Sequence, residues 1–179
     1  MKLAPSIDKQ DIRNLSYEEL VIYLETIGEK QFRAGQIFDW IYKKGALDFN
    51  AMANLPASLK AHLLTDFLFG PPQITRHLTS EDKTQKFLFD LVDHEKVETV
   101  LIPTAHRATV CVSTQSGCKF GCRFCASGIG GWTRNLTSAE ILEQILYARA
   151  SLESAQGHPL SHIVFMGTGE PLTTLRYYG

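Results

Sequence analysis

Three of the four cysteines lie close together in the segment GCKFGCRFC, residues 117–125. They are Cys118, Cys122 and Cys125, at the spacing C-x3-C-x2-C. Thiolates are the protein ligands of iron–sulfur clusters, and a four-iron cluster normally takes four of them. Three clustered thiols therefore predict a metal centre with one position left open for a small molecule, as in catalytic zinc sites.

Two other interpretations of the same thiols stay open. The cysteines can be ordinary small residues of a core. They can also bind zinc, with Cys111 as a fourth ligand from seven positions upstream of Cys118. The function that matches a zinc site is a non-catalytic, zinc-stabilised RNA-binding module.

The cysteine segment is flanked by patterns typical of alternating strands and helices. It follows the β-rich run ATVCVSTQS, and the amphipathic helix pattern NLTSAEILEQILYARASLESA comes after it, opened by a capping box from Thr137 to Glu140. The run HIVFMGTGEP then predicts a buried strand followed by a glycine-rich loop. Strand, loop, helix and strand predict a βα unit with parallel strands, and ligands bind at the carboxyl ends of such strands.

The part of the chain before the cysteines divides into two regions. Residues 1–70 are predicted to form a small helical domain, with a capping box at Ser16 and Glu19. A second helix there places Phe32, Ile37, Trp40 and Ile41 on one face, and a third runs through ASLKAHLLTDF. A linker at 70–72 follows, and residues 71–179 begin with a predicted β-hairpin of KFLFDLV and KVETVLIPT that turns at Asp93 and His94.

Composition excludes several classes of protein. The chain has 179 residues, is 44% hydrophobic and carries a net charge of −1, so it is neither disordered nor a wholly basic nucleic-acid binder. Neither an export signal nor a long apolar run is found, so we expect a cytoplasmic monomer without membrane contact. Between Thr99 and Ala139 there is no acidic residue, and a net charge of +4 there favours anionic partners; its cations are Arg107, Lys119, Arg123 and Arg134.

At this point the sequence resembles a known family. The cysteine spacing, with an aromatic residue before the last Cys, is similar to the signature of radical S-adenosylmethionine (SAM) enzymes. The segments RATVCVSTQSGCKFGCRFCASGIGG, RNLTSAEILEQIL, VFMGTGEPL, ETVLIP and FRAGQIFDWIYKKG closely resemble the dual-specificity adenine-C2 methyltransferases of 23S rRNA and tRNA. A related family that methylates C8 of the same rRNA adenine shares much of this pattern and is the alternative.

The resemblance implies a fold, cofactors and partners. The expected fold is α/β: the helical domain, the hairpin and the first part of a radical SAM (β/α)6 partial barrel. The cofactors implied are a [4Fe-4S] cluster on Cys118, Cys122 and Cys125, and SAM, which the reduced cluster cleaves to a 5′-deoxyadenosyl radical. The partners implied are 23S rRNA, tRNA and a flavodoxin-like reductant, and the helical domain is expected to help hold the RNA.

The resemblance also assigns roles to four further residues. Glu98 is expected to accept a proton, and Cys111 to resolve a covalent protein–RNA intermediate and form a disulfide with a methyl-carrying cysteine. Gly169 and Glu170, in GTGEP, are expected to hold the SAM amino group. The family has a Met where Thr168 stands, which leaves both glycines and Glu170 in place.

The carboxyl-terminal part of the family pattern has no counterpart in this sequence. The four cysteines at 111, 118, 122 and 125 leave none for the methyl-carrying role, and further barrel strands are not found after GEPL. We therefore expect the chain to be a truncated radical SAM barrel that does not methylate RNA by itself.

Overall fold

The computed structural model describes residues 9–154 and 159–174. They divide into two compact units, with the boundary between Pro71 and Pro72. Within the described parts of the chain, no helix combines the length and the apolarity needed to cross a bilayer.

The first unit is built from short helices. The first, α1 (Tyr17–Thr26), begins at the predicted capping box: the Ser16 hydroxyl accepts a hydrogen bond from the Glu19 N–H, and the Glu19 carboxylate accepts one from the Ser16 N–H at 2.7 Å. This prediction is confirmed. The others are α2 (Phe32–Phe38), which continues as a π-helix (Asp39–Lys43), α3 (Ala57–Asp66), and 3-10 turns at Ile12–Asn14 and Phe49–Ala51.

The predicted apolar face of the second helix is only partly correct. Ile37 and Ile41 are buried, but Phe32 is 53% exposed and Trp40 is half-buried. Trp40 lies in the π-helix, which has more residues per turn than an α-helix and therefore changes the direction of its side chain. Phe32 is the first residue of α2. Cations lie over both aromatic rings: the Arg33 guanidinium is 4.8 Å from the centre of Phe32, and the Lys44 ammonium is 3.9 Å from that of Trp40.

The second unit contains two sheets. The larger has the order β1-β2-β3-β4-β7, and the smaller pairs β5 with β6. The strands are Gln73–Thr79 (β1), Gln85–Asp90 (β2), Lys96–Pro103 (β3), Ala108–Cys111 (β4), Gln115–Gly117 (β5), Trp132–Asn135 (β6) and Leu160–Val164 (β7). The predicted hairpin is confirmed as β2 and β3, which turn between Leu91 and Glu95. The sequence interpretation missed β1, β5 and β6.

The predicted βα unit is also present. Strands β4 and β7 are parallel, and α4 (Ser138–Ser154) connects them through the chain. Its capping box is confirmed, because the Thr137 N–H donates to the Glu140 carboxylate at 2.8 Å and the Glu140 N–H to the Thr137 hydroxyl at 3.3 Å. The mixed α/β class is therefore correct, whereas the six-stranded barrel stays a prediction. The core of this unit comprises Phe87, Phe89, Leu91, Val97, Leu101, Ala108, Val110, Val112, Leu136, Ala148 and Leu152.

The prediction of a buried strand at HIVFMG is wrong. Strand β7 lies at the edge of the sheet, with β4 as its neighbour among the described strands, and three of its five residues are exposed. Ile163 is 45% exposed, and the Met166 side chain beyond the strand is 79% exposed. An apolar run in a parallel strand predicts burial on both faces, but an edge strand is covered on one side only.

Replacing Phe87 should destabilise the second unit. Phe87 is fully buried and packs edge-on against Tyr147, with ring centres 5.1 Å apart. We expect Phe87→Ala to lower the free energy of unfolding by about 3–5 kcal/mol, since it leaves a cavity in the core. Urea denaturation followed by circular dichroism measures this. The control is Leu78→Ala, at a side chain that is 47% exposed, and an equal loss in both variants would contradict the assigned core.

Candidate functional site

The two ends of the cysteine loop are joined by the small β5–β6 sheet. Gln115 pairs with Asn135 and Ser116 with Arg134, and the Cys118 N–H donates to the Gly131 carbonyl at 3.0 Å. The segment between Cys118 and Gly131 is therefore a closed loop on a two-stranded base. This base places the loop beyond the carboxyl end of β4, where the βα pattern predicted a ligand site.

Gly117 makes this base possible. It adopts φ +70°, a left-handed conformation, and a Cβ atom there would lie 1.9 Å from the Gly131 carbonyl oxygen. Any other residue would clash with backbone, which cannot move aside as a flexible side chain does. The glycine before Cys118 is thus a structural requirement of the loop.

The three thiols lie on one loop but are not gathered around a common point. Cys122 is exposed, Cys118 and Cys125 are partly exposed, and all four cysteines of the chain are free thiols. Across residues 9–154 and 159–174, no three Cys, His, Asp or Glu side chains form a group positioned for a metal ion. A cavity of about 440 Å³ opens in the loop; its lining includes Cys122, Arg123, Phe124, Cys125 and Ile129.

The donor set nevertheless fits an iron–sulfur cluster. Hydrogen bonds from the Ser127 hydroxyl and from the Ser127 and Gly128 backbone lower the pKa of the Cys125 thiol, which favours the thiolate that metals bind. The cavity lies between two of the three thiols. Ligand loops commonly close around their metal only as it binds, so the open arrangement is compatible with that group.

The charge of the loop is lower than the sequence predicted. The Arg134 guanidinium donates to Asp93 at 2.6 Å and to both oxygens of Glu140 at 2.8 Å. These carboxylates raise the pKa of Arg134, so it stays protonated, and their negative charges balance its positive charge. Its predicted contribution to an anion site is therefore not supported. Lys119 lies over the Trp132 ring, 4.0 Å from its centre, and Arg123 lines the cavity.

The GTGEP loop lies against the residues that follow β4. The Gly167 N–H donates to the Val112 carbonyl at 3.0 Å, and the Thr114 N–H donates to the Thr168 carbonyl at 2.9 Å. Gly169 has φ +105°, and a Cβ atom there would lie 2.6 Å from the Gln115 side chain. The predicted SAM contacts, Gly169 and Glu170, are therefore held beside β5, which leads into the cysteine loop.

Glu98 and Cys111 lie on one face of the sheet. Val100 on β3 pairs with Cys111 on β4, and Glu98 is two residues from Val100, so the three side chains point to the same side. The opposite face, with Val97, packs into the core. Glu98 is exposed and forms an ion pair with Lys86 at 2.7 Å. Burial raises the pKa of the Cys111 thiol, partly offset by a hydrogen bond with the Met166 backbone.

Sequence reasoning missed the buried polar residues between Cys111 and Cys118. Ser113, Thr114, Gln115 and Ser116 are each at most 2% exposed. A run of Ser, Thr and Gln is typical of a loop, so hydropathy gave no signal of burial. Their hydrogen bonds connect the cysteine loop to β3, to α4 and to the GTGEP loop.

The fold and the sequence of the chain are similar to those of known proteins. A solved radical SAM methyltransferase from Sphaerobacter thermophilus shares the fold, with a TM-score of 0.86 and 41% sequence identity, over 92% of this chain and 48% of that one. Residues 10–67 match the family model of the ribosomal RNA large subunit methyltransferase N-terminal domain.

Curated relatives carry the same family name. A protein of Clostridium botulinum strain Okra, named "Probable dual-specificity RNA methyltransferase RlmN", is 46% identical over 91% of this chain and 47% of its own length. One of the same name from Symbiobacterium thermophilum is 43% identical over 95% of this chain and 46% of its own length.

The fold and the cysteine motif thus define the class as the radical SAM methyltransferases. Within that class, the family model and the curated relatives support an RlmN-like family member. It spans about half the length of the curated relatives that it matches.

Replacing Gly117 should disrupt the base of the cysteine loop. We expect Gly117→Ala to destabilise the second unit by about 1–3 kcal/mol. Alanine is strained at φ +70°, and its Cβ atom would clash with the Gly131 carbonyl oxygen. Gly121→Ala is the matched control within the same loop: a Cβ atom there has no neighbour within 4 Å. Thermal unfolding of both variants measures the difference, and equal melting temperatures would contradict the geometry of the base.

The thiols should titrate differently. The pKa of Cys125 is lowered by hydrogen bonds and that of Cys111 is raised by burial, so the thiolate of Cys125 appears at lower pH. We expect alkylation of Cys125 by iodoacetamide in cluster-free protein to reach half its maximal rate at lower pH than that of Cys111. Mass spectrometry of peptides measures both rates across pH. Ser127→Ala should shift the Cys125 profile to higher pH and leave Cys111 unchanged, and an unshifted profile would exclude the hydroxyl as the cause.

Proposed function

We propose that the protein to which this chain belongs methylates C2 of adenine in 23S rRNA and tRNA, with a [4Fe-4S] cluster and SAM. The observation that carries the proposal is the juxtaposition of the three-cysteine loop and the GTGEP loop: Gln115, in the two-stranded base of the cysteine loop, accepts a hydrogen bond from the Glu170 N–H of the GTGEP loop. Relatives named dual-specificity RNA methyltransferases support it. Since the chain spans about half their length, the activity, substrates and partners of the whole protein belong to this proposal.

The cofactor-binding part assigns Cys118, Cys122 and Cys125 to the cluster. Three thiolates would leave one iron of the cluster without a protein ligand, and SAM would bind at that open position. When bound, the cluster supplies the electron that cleaves SAM reductively. Gly169 and Glu170 hold the SAM amino group, since a carboxylate and backbone carbonyls are suitable acceptors for an ammonium.

The proton-transfer part assigns Glu98 and Cys111. An ionised Glu98 is the form that accepts a proton, and the Lys86 ammonium, 2.7 Å away, is a partner for that form. Cys111 resolves the covalent protein–RNA intermediate: its thiolate sulfur attacks the sulfur of the methyl-carrying cysteine, the bond from that sulfur to the RNA adduct breaks as the disulfide forms, and the released carbon takes up a proton to become the methyl group. Because burial raises the pKa of Cys111, its thiol is protonated at neutral pH and must lose that proton before it acts as a base. Both residues lie on the sheet face opposite the core, where an RNA base can reach them.

The RNA-binding part assigns an accessory role to the helical unit, residues 1–70. The exposed Phe32 with Arg33, and Trp40 with Lys44, pair aromatic rings with cations. Such pairs suit single-stranded RNA, whose bases stack on aromatic rings while cations contact phosphates. The proposal also includes a flavodoxin-like electron donor and a cytoplasmic monomer.

The cluster assignment is tested by single substitutions. Cys118→Ala, Cys122→Ala and Cys125→Ala should each lose the four-iron cluster, because only three protein ligands are proposed. Cys111→Ala is the matched control and should keep it. Anaerobic reconstitution followed by iron and sulfide analysis gives the result. A colourless wild-type protein that contains one zinc ion and no sulfide would instead support a zinc-stabilised RNA-binding module.

A further inference from the structure

Resting on the proposed function, we propose that Gln115 is a positioning residue for SAM binding. Its side-chain amide holds the backbone of Glu170 in register with the base of the cysteine loop. Gln115 thereby connects the two segments that are proposed to bind the two cofactors. Gln115 itself is fully buried and is not among the residues assigned to either cofactor.

The Gln115 amide contacts three separate elements. Its nitrogen, Nε2, donates to the Asn135 Oδ1 at 2.9 Å, on the β6 side of the loop base. The same nitrogen donates to the Thr173 hydroxyl at 3.1 Å, on the short helix α5 (Pro171–Thr174). Its oxygen, Oε1, accepts from the Glu170 N–H at 3.2 Å. Both N–H groups and one acceptor site of the amide are therefore used by groups around the site.

Backbone contacts reinforce the same junction. The Gln115 N–H donates to the Thr168 carbonyl at 3.2 Å. The Gln115 side chain also fills the space in which a Cβ atom of Gly169 would stand, 2.6 Å from the Gln115 Cβ. The GTGEP loop therefore lies directly on Gln115, and its approach requires both the glycine and the amide.

Gly167 and Thr168, at the start of this loop, are held by Val112, Ser113 and Thr114, whereas the Glu170 N–H is paired with the Gln115 amide oxygen. The loop follows β7, an edge strand, and its next element, α5, has four residues. Without the amide, the partly buried Glu170 N–H would lose its side-chain acceptor, and an unpaired donor that is shielded from water favours local opening. Glu170 would then no longer be fixed relative to Cys118, which follows β5 by one residue. Binding that needs contacts from both segments weakens when their spacing varies.

The first experiment measures hydrogen exchange in cluster-free protein, which makes it independent of any cofactor. Gln115→Met keeps the length of the side chain and removes its hydrogen bonds. We expect backbone amides at 167–174 to exchange about tenfold faster, the effect of losing roughly one hydrogen bond. The control is Thr99→Val, which removes a different buried hydrogen bond, from Thr99 to Gln144, and should leave 167–174 unchanged. Unchanged exchange at 167–174 in Gln115→Met would overturn the proposal.

A second variant covers the case in which Gln115→Met fails to fold. Thr173 is exposed, so Thr173→Val does not threaten the core, and it removes one acceptor of the Gln115 amide. Its amides at 167–174 should exchange faster than those of wild type, by a smaller factor than in Gln115→Met. Wild-type exchange in Thr173→Val would contradict the proposed role of the amide.

The second experiment measures SAM binding by reconstituted protein. Gln115→Met should bind the same amount of iron and sulfide as wild type, but need at least tenfold more SAM to perturb the electron paramagnetic resonance spectrum of the reduced cluster. Equal SAM dependence in both proteins would overturn the positioning role while the proposed function stands. A wild-type protein that forms no cluster would overturn the proposed function, and the exchange data would then still decide whether Gln115 holds the loop.

Discussion

The candidate site depends on the hydrogen bonds between two buried residues, Gln144 and Ser113. Gln144, fully buried on α4, accepts from the Ser113 N–H at 2.8 Å and donates to the Ser113 carbonyl at 3.1 Å. The Ser113 hydroxyl donates to the Glu98 carbonyl at 2.6 Å and accepts from the Thr168 N–H at 2.9 Å. One residue thus connects the covering helix, strand β3 and the GTGEP loop. Because removing a buried partner leaves the remaining polar groups unpaired, such a network admits one arrangement.

The network lies where the chain leaves the large sheet. Strand β4 ends at Cys111, so the backbone groups beyond it lack a partner on β3 and would be buried unpaired. Val112 pairs with Val164, Ser113 pairs with the Gln144 amide, and Thr114 pairs with Thr168 and Leu136. Hydrogen bonds to side chains and loops thereby replace those of the sheet beyond Cys111. The chain can therefore leave the sheet and form the cysteine loop while the base of that loop stays fixed.

The sequence predicted the elements that local residue patterns define, but it did not predict features that depend on residues elsewhere in the chain. Both capping boxes, the hairpin and the parallel βα unit follow from spacings within a few residues, and the structure has them. The charge of Arg134 was misjudged because both of its partners lie outside the stretch from Thr99 to Ala139: Glu140 follows six residues after Arg134, and Asp93 lies 41 residues before it. The base strands were missed because three and four residues give no measurable alternation. The cysteine spacing predicts a ligand loop, and the arrangement of the thiols in the proposed cluster site would depend on a group that the chain does not encode.

The two kinds of thiol chemistry proposed for this chain require opposite environments. A metal ligand must be a thiolate, and Cys125 lies in an open loop where hydrogen bonds from Ser127 lower its pKa. A thiol that acts later, by proton removal and disulfide formation, must stay unreactive until the covalent intermediate is present. Burial on a strand raises the pKa of Cys111, which favours the protonated thiol and keeps it less reactive. Cys111 on the sheet therefore has a raised pKa, and Cys125 on the loop has a lowered one. The hydrogen bonds between Ser113 and Gln144 fix the backbone just after Cys111, and Gly117 allows the base of the cysteine loop to form. The separation of roles follows from where the chain leaves the sheet.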